Sequence, residues 1–131
     1  MTPSAALPHN EPMPALLPTV VETSAFTRRA EKLLSTEEYD DLISYLARYR
    51  EVGDEIPGTG GVRKLRFAAF GKGKSGGVRA IYYFYDENTP LYAIFLYGKN
   101  EQTDLTSAQK KEVKTFAAII KAAALRKRSS Q

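Results

Sequence analysis

The stretch that decides the fold runs from residue 62 to residue 97 and reads VRKLRFAAFGKGKSGGVRAIYYFYDENTPLYAIFLY. Three segments of it, 62–70, 77–85 and 91–97, are rich in β-branched and aromatic residues, which favours strands. The connections between them, 71–76 and 86–90, have the glycine-rich and turn-forming composition of hairpin loops. The stretch therefore predicts three consecutive antiparallel strands, and the nearly continuous apolar runs indicate central strands covered on at least one face.

Two helices are predicted ahead of these strands. Ser24 is a suitable N-cap for a short helix that ends near Leu34. Ser35 starts a second helix, because its side chain and that of Glu38 three residues later have the spacing of a capping box. Residues at helical spacing give the second helix an apolar stripe of Tyr39, Leu42, Ile43, Leu46 and Tyr49.

A long helix is predicted after the strands. Thr106 and Gln109 have capping-box spacing, and they precede an apolar stripe of Val113, Phe116, Ala117, Ile120 and Ala124. With a short β-branched strand at 19–23, the predicted order is β-α-α-β-β-β-α, an α+β domain containing an antiparallel meander. Residues 1–18 hold five of the seven prolines, which predicts a disordered arm in front of a domain at 19–128.

Composition narrows the possible chemistry. The chain has 131 residues, no cysteine and a single histidine, His9, which lies in the proline-rich arm. Disulfides, thiolate metal sites and a cysteine nucleophile are thereby excluded, and Ser-His-Asp catalysis or a histidine-bound zinc is disfavoured. Any catalysis is expected to use Lys, Arg, Tyr, Asp or Glu. Because no apolar run approaches the ~18 residues of a membrane span and no secretory signal is visible, we expect a cytoplasmic protein.

Positive charge is concentrated in two blocks of the chain. The net charge is +4, but residues 56–81 carry six basic side chains and no acidic one, and residues 105–131 carry seven basic side chains and one acidic one. Such blocks, with an isoelectric point near 9.3, suggest a polyanionic partner. The alternative interpretation is a basic face that serves only solubility.

The first basic block has a pattern that favours anion binding. Lys64 and Arg66 are two residues apart on a predicted strand and share a face, and a hairpin brings Arg79 beside them. Lys72 and Lys74 lie in the loop between the strands. Like charges side by side on a sheet repel each other, so the cluster is easier to understand if an anion covers it. Tyrosines of the same sheet are mostly core residues, although one on the cationic face could stack on a nucleobase.

Three sequence blocks resemble a known family. They are GTGGVRKLR at 58–66, GKGKSGGVRAIYY at 71–83 and YGKNE at 97–101. In this order and spacing they resemble the RelE/HigB toxins of bacterial type II toxin–antitoxin systems, especially the HigB branch. The resemblance covers about residues 19–125. It implies a RelE-like fold, in which two N-terminal helices pack on a twisted antiparallel sheet.

The resemblance also implies an activity. Family members are ribosome-dependent mRNA endoribonucleases that cleave in the A site by 2′-OH attack on the adjacent phosphate, without metal or other cofactor. The implied partners are a HigA-like helix-turn-helix antitoxin, the 70S ribosome with its rRNA, and mRNA. Position by position, the resemblance gives catalytic roles to Lys64, Arg66, Arg79 and Lys99. It places Asn100 in the basic turn after the last strand, and we expect Asn100 to contact RNA or the ribosome. The basic block and the tyrosines of the sheet give the other expected RNA or ribosome contacts, Arg63, Lys72, Lys74 and Tyr82.

Two departures from the family pattern leave alternatives open. Members closer to RelE carry an arginine where this chain has Asn100, and a tyrosine about where it has Thr106. The general base and general acid are therefore unassigned. A catalytically silent RelE-fold protein that binds RNA or only its antitoxin is the alternative, and a small basic RNA-binding domain unrelated to toxins is the third possibility.

Overall fold

A computed structural model describes residues 17–68 and 77–129. Most of the predicted N-terminal arm, and the loop with Lys72 and Lys74, lie outside these residues. The elements in chain order are β1 (Val20–Glu22), α1 (Ser24–Leu33), α2 (Thr36–Arg48), β2 (Asp54–Glu55), β3 (Arg63–Phe67), β4 (Val78–Phe84), β5 (Leu91–Gly98) and α3 (Ser107–Ser129). The predicted α+β class, with two helices before the meander and one after it, is confirmed.

The strands form a five-stranded sheet in the order β1-β5-β4-β3-β2. The β3-β4-β5 meander is antiparallel, as predicted, and β1 pairs with β5 in parallel. The strand β2 was not predicted. Its two residues, Asp54 and Glu55, have low strand propensity, and they form a strand because they pair with Lys64 and Arg63.

One face of the sheet, here called the helical face, is covered by α1 and α2. Alternate residues of each strand point to this face, as the two-residue strand period requires. On β4 they are Val78, Ala80, Tyr82 and Phe84, and all four are buried. They form the main core together with Phe26, Ala30, Leu34, Leu42, Leu46, Leu65, Leu91, Ala93 and Leu96.

The opposite face, here called the α3 face, is covered by the C-terminal helix. A second buried cluster lies there, formed by Val62, Ile81, Tyr83, Tyr97, Val113 and Ala117. The two helix residues belong to the predicted stripe of α3. Because the buried cluster is centred on β4 and β5, the outer part of this face near β3 is available for polar side chains. No helix in the described residues is both long enough and apolar enough to cross a membrane.

A β-bulge in β5 links the sheet to the first helix. The register changes between Ile81, which pairs with Phe95, and Tyr82, which pairs with Ala93, so Ile94 has no partner on β4. The hydroxyl of Thr23 donates a hydrogen bond to the Ile94 carbonyl at 2.6 Å. The same hydroxyl accepts from the Phe26 N–H, so Thr23 caps α1 while it holds the bulge.

The helix ends test the capping predictions. The Ser35–Glu38 capping box is present, and Thr106 and Gln109 exchange the expected hydrogen bonds at 3.1 and 2.9 Å. The prediction that Ser24 caps α1 was wrong, because Thr23 has the extended backbone of an N-cap and Ser24 is already helical. Tyr49 was wrongly placed in the α2 stripe: it lies beyond the last helical residue and is 51% exposed.

Candidate nucleic-acid interface

The strand register places two arginines directly opposite each other. Arg66 on β3 and Arg79 on β4 are Cα partners in the antiparallel ladder. Lys64 lies two residues before Arg66 and is opposite Ile81, which belongs to the α3 face. The three basic side chains therefore project from one side of the sheet, as the sequence predicted, and they are called the cationic face below.

Tyr97 lies beside the cationic face. It is fully buried and pairs with Arg79 across the β4–β5 ladder. Burial raises the pKa of its hydroxyl, the charge of Asp104 raises it further, and Arg79 and Arg66 act in the opposite direction. The hydroxyl donates a 3.3 Å hydrogen bond to the Thr103 carbonyl. Tyr97 is therefore a neutral phenol that ties the connection after β5 to the sheet.

Acidic side chains border the cationic face, which corrects the prediction of a cluster without acids. The Lys64 Nζ lies 2.9 Å from the Asp104 carboxylate, and the Arg66 guanidinium lies 3.9 Å from that of Asp54. The hydrogen bond from Lys64, and then its charge, lower the pKa of Asp104. Sequence reasoning missed both acids because they come from β2 and from the connection before α3, well outside the basic block.

The cationic face opens into a cleft. Its volume is about 370 Å³, and its basic lining residues are Lys64, Arg66 and Lys110 from the start of α3. Asp54, Glu55 and Asp104 line its acidic margin, and Ile56, Pro57 and Leu105 supply apolar surface. The cleft thus combines three cations, two from β3 and one from α3, with apolar surface, a composition suited to an anionic ligand that also carries flat or apolar groups.

The turn after β5 lies at the same end of the sheet as Arg79. Lys99 and Asn100 are both exposed, and the Lys99 N–H donates to the Gly77 carbonyl at 3.1 Å. Glu101 fixes this turn: its carboxylate accepts from the Gly98 N–H and from the Arg29 guanidinium, and Arg29 holds the pKa of Glu101 below its ordinary value. Arg79 and the predicted residues of the turn are therefore brought together at one end of the sheet.

Arg63 does not belong to the cationic face. It pairs with Tyr82 and projects to the opposite side of the sheet, where its guanidinium donates to the carbonyls of Glu51 and Gly53 at 3.0 and 2.6 Å. A 3.5 Å ion pair with Glu55 adds to these contacts. The prediction of an RNA contact for Arg63 is therefore corrected: the side chain fastens the segment after α2 to the sheet edge.

Tyr82 is also corrected. Its ring is fully buried in the main core on the helical face, and its hydroxyl accepts a 2.9 Å hydrogen bond from the Gly53 N–H. A ring with no exposed surface has no face on which a nucleobase can stack. The alternation of β4 explains the result, because Tyr82 lies three residues from Arg79 and therefore points to the other side.

The fold and the chain both match known proteins. The sequence profile of the RelE toxin of the RelE/RelB toxin–antitoxin system matches residues 20–129. Among solved structures, a double arginine-to-alanine variant of the Escherichia coli toxin RelE in the free state is 17% identical, with a TM-score of 0.53 over 75% of this chain and 99% of that chain. The RelBE2 toxin–antitoxin complex from Mycobacterium tuberculosis is 19% identical, with a TM-score of 0.46 over 63% of this chain and 99% of that one. Because the profile spans nearly the whole described chain, this protein belongs to the RelE toxin family of RelE/RelB toxin–antitoxin systems.

Proposed function

We propose that this toxin is a ribosome-dependent mRNA endoribonuclease that cleaves mRNA in the A site and thereby stops translation. The observation that carries the proposal is the facing pair of Arg66 and Arg79. Two guanidinium groups held opposite each other on rigid strands can both contact one phosphate, and guanidinium matches the geometry of phosphate oxygens. Their repulsion in the free protein is relieved when an anion lies between them.

The chemistry needs no metal in this proposal. The 2′-oxygen of one nucleotide attacks the adjacent phosphorus, the new O–P bond forms, and the P–O5′ bond breaks. A base removes the 2′-OH proton and an acid gives a proton to the 5′-oxygen, which leaves a 2′,3′-cyclic phosphate and a 5′-OH. Arg66 and Arg79 stabilise the extra negative charge on the phosphate oxygens in the transition state. Lys64, which the ion pair with Asp104 aims into the cleft, and Lys99 in the exposed turn supply further positive charge.

Binding and chemistry are assigned to different parts of the basic surface. Strand residues are rigidly aimed, so Lys64 and Arg66 are proposed to act in cleavage. Lys72 and Lys74, in the glycine-rich connection outside the described residues, are proposed to contact rRNA or mRNA phosphates, as is Asn100. Under this division, replacing Lys72 and Lys74 weakens ribosome association, whereas replacing Lys64 or Arg66 abolishes cleavage with ribosome binding nearly unchanged.

The partners follow from the family. We propose that a cognate antitoxin neutralises the toxin, and that this antitoxin is HigA-like with a helix-turn-helix. The family match is to the toxin of a toxin–antitoxin system, which supports an antitoxin partner of some type. The ribosome and mRNA are the other proposed partners, in the cytoplasm.

Induced expression in a bacterial host tests the function. We expect growth arrest, new mRNA 5′ ends within translated codons, and rescue by co-expression of the cognate antitoxin. Arg79→Ala is expected to remove the new 5′ ends, while Arg28→Ala, an exposed arginine on α1, is the matched control and stays toxic. Normal growth at high levels of soluble wild-type protein would instead support the catalytically silent RNA-binding alternative.

A further inference from the structure

One flank of α3 carries a row of basic side chains that the cleft does not explain. Lys110, Lys114 and Lys121 are four and seven residues apart. At about 100° per residue, these steps keep all three within roughly 40° of each other around the helix. Arg128, a further seven residues on, falls on the same line. We call Lys110, Lys114 and Lys121 the lysine flank.

Contacts at both ends show which way the lysine flank points. Lys110 lines the cleft beside Lys64 and Arg66. At the other end, Arg128 pairs with Asp86 and lies 5.7 Å from the centre of the Tyr85 ring, just beyond β4. The flank therefore runs along the β3–β4 side of the helix, starting at the cationic face.

The other flank of α3 is different in character. Glu112 and Phe116 line an apolar groove with Ile94 and Thr23 on the β5 side. Glu112 is the sole acidic residue of α3, so the helix has no carboxylate on its lysine flank. The two flanks of the helix are thus separated by charge, one basic and the other largely apolar.

The fold neutralises little of the lysine flank, although Lys110 lies close enough to Asp104 to help lower the pKa of that carboxyl. Six other basic residues have acidic partners within 4 Å, namely Arg29, Arg50, Arg63, Lys64, Arg66 and Arg128. Lys110, Lys114 and Lys121 form no ion pair with any acid in residues 17–68 or 77–129. Lys110 and Lys114 also have the i, i+4 spacing at which like charges destabilise a helix. A row of this kind is more favourable when a polyanion lies along it.

We propose that the lysine flank is a second phosphate-binding surface, which continues from the cationic face and holds the backbone of the same single-stranded RNA. The proposal rests on RNA as the ligand of the cleft. From Lys110 to Lys121 the flank spans about 16 Å at 1.5 Å per residue, enough for several nucleotides beyond the one in the cleft. Lysine contacts of this type are independent of sequence and sensitive to salt.

The test compares two triple variants of equal net charge. In the first, Lys110→Gln, Lys114→Gln and Lys121→Gln remove the flank. In the control, Arg28→Gln, Lys32→Gln and Arg48→Gln remove three exposed cations from α1 and α2. Glutamine has nearly the helix propensity of lysine, so both proteins are expected to fold, as denaturation curves will verify.

Fluorescent single-stranded RNAs of roughly 4 and 16 nucleotides are titrated across a salt series. The salt slope is the steepness with which log K for RNA binding falls as log[salt] rises. Loss of three phosphate contacts is expected to lower it by about 2. Between 50 and 200 mM salt, wild-type affinity for the long RNA is therefore expected to fall roughly 18-fold more than that of the flank variant. The short RNA occupies only the cleft, so for the flank variant it is expected to lose the single contact of Lys110 and to show a slope lower by only about 0.7. The control variant is expected to bind both RNAs as the wild type does.

The outcomes separate this proposal from the proposed function. Equal salt slopes for the flank variant and the control overturn the flank as an RNA surface, even if wild-type protein cleaves mRNA. A lower slope for the flank variant supports it, even if no protein cleaves mRNA and the endoribonuclease proposal fails. Co-sedimentation with ribosomes shows which RNA the lysine flank contacts. If the flank variant no longer binds ribosomes but binds the oligonucleotides normally, the flank contacts rRNA, and the proposal that one RNA strand runs from the cleft along the flank is overturned.

Discussion

Replacing Arg79 by glutamine is expected to make the protein more stable and less active at the same time. Arg79 faces Arg66 across the ladder, and its hydrogen bond to the Val78 carbonyl is long, at 3.4 Å. Like charges directly opposite each other destabilise a strand pair by about 0.2–1 kcal/mol. The Arg66 side chain is 63% exposed, so the dielectric of water applies. Two unit charges about 4 Å apart in bulk water repel by about 1 kcal/mol, which agrees with the upper end of this range.

The two effects are measured separately. Urea denaturation at low salt is expected to show a gain of about 0.2–1 kcal/mol for Arg79→Gln, and the gain is expected to shrink in high salt because the repulsion is screened. Cleavage of a reporter mRNA in a translation extract is expected to fall by roughly 10²–10³, the usual cost of losing one donor to transition-state charge.

Arg63→Gln is the matched control and is expected to give the opposite result. Its guanidinium donates to two backbone carbonyls on the other side of the sheet. Losing these charge-assisted hydrogen bonds costs about 1.5–3 kcal/mol of stability. Cleavage per folded molecule is expected to be unchanged. A clear loss of stability in Arg79→Gln, or undiminished cleavage by it, refutes the assignment of the facing pair to phosphate binding.

Three further outcomes are expected. Tyr82→Phe leaves the buried Gly53 N–H without its acceptor, so the free energy of unfolding is expected to fall by about 1–3 kcal/mol while RNA affinity stays unchanged. A variant with full stability and reduced RNA affinity would contradict the buried position of Tyr82. Burial, and then the hydrogen bond to Glu22, raise the pKa of Tyr39 to about 12. The neutral Tyr39 hydroxyl therefore contributes its full stabilisation below the ordinary pKa of about 10, and this stabilisation is lost as the pH rises through 12. Tyr39→Phe is therefore expected to flatten the decline in urea midpoint over this alkaline range, and an unaltered decline counts against the hydrogen bond. Asp104→Asn removes a carboxylate from the rim of the cleft and is expected to tighten RNA binding, measured with the same oligonucleotides; weaker binding assigns the carboxylate a positioning role instead.

The sequence by itself determined every helix and strand except β2, and much of the cationic face. Strand composition and capping boxes are local signals, so the meander and the starts of α2 and α3 followed from residues a few positions apart. The sharing of a face by Lys64 and Arg66 also followed, because side-chain alternation needs no knowledge of the rest of the fold. That Arg79 lies beside Lys64 and Arg66 also followed from the sequence, because a hairpin between the two strands is enough to bring them together.

The tertiary structure decided what surrounds those residues. Asp104 lies 40 residues from Lys64 in the chain, and no local pattern marks it as the partner. The side to which Arg63 and Tyr82 point depends on which face α1 and α2 cover, and strand period alone does not show which face that is. The continuity of the lysine flank with the cleft depends on how α3 crosses the sheet. Each of these features arises from packing between distant segments, where burial and pairing outweigh the local preferences that a sequence displays.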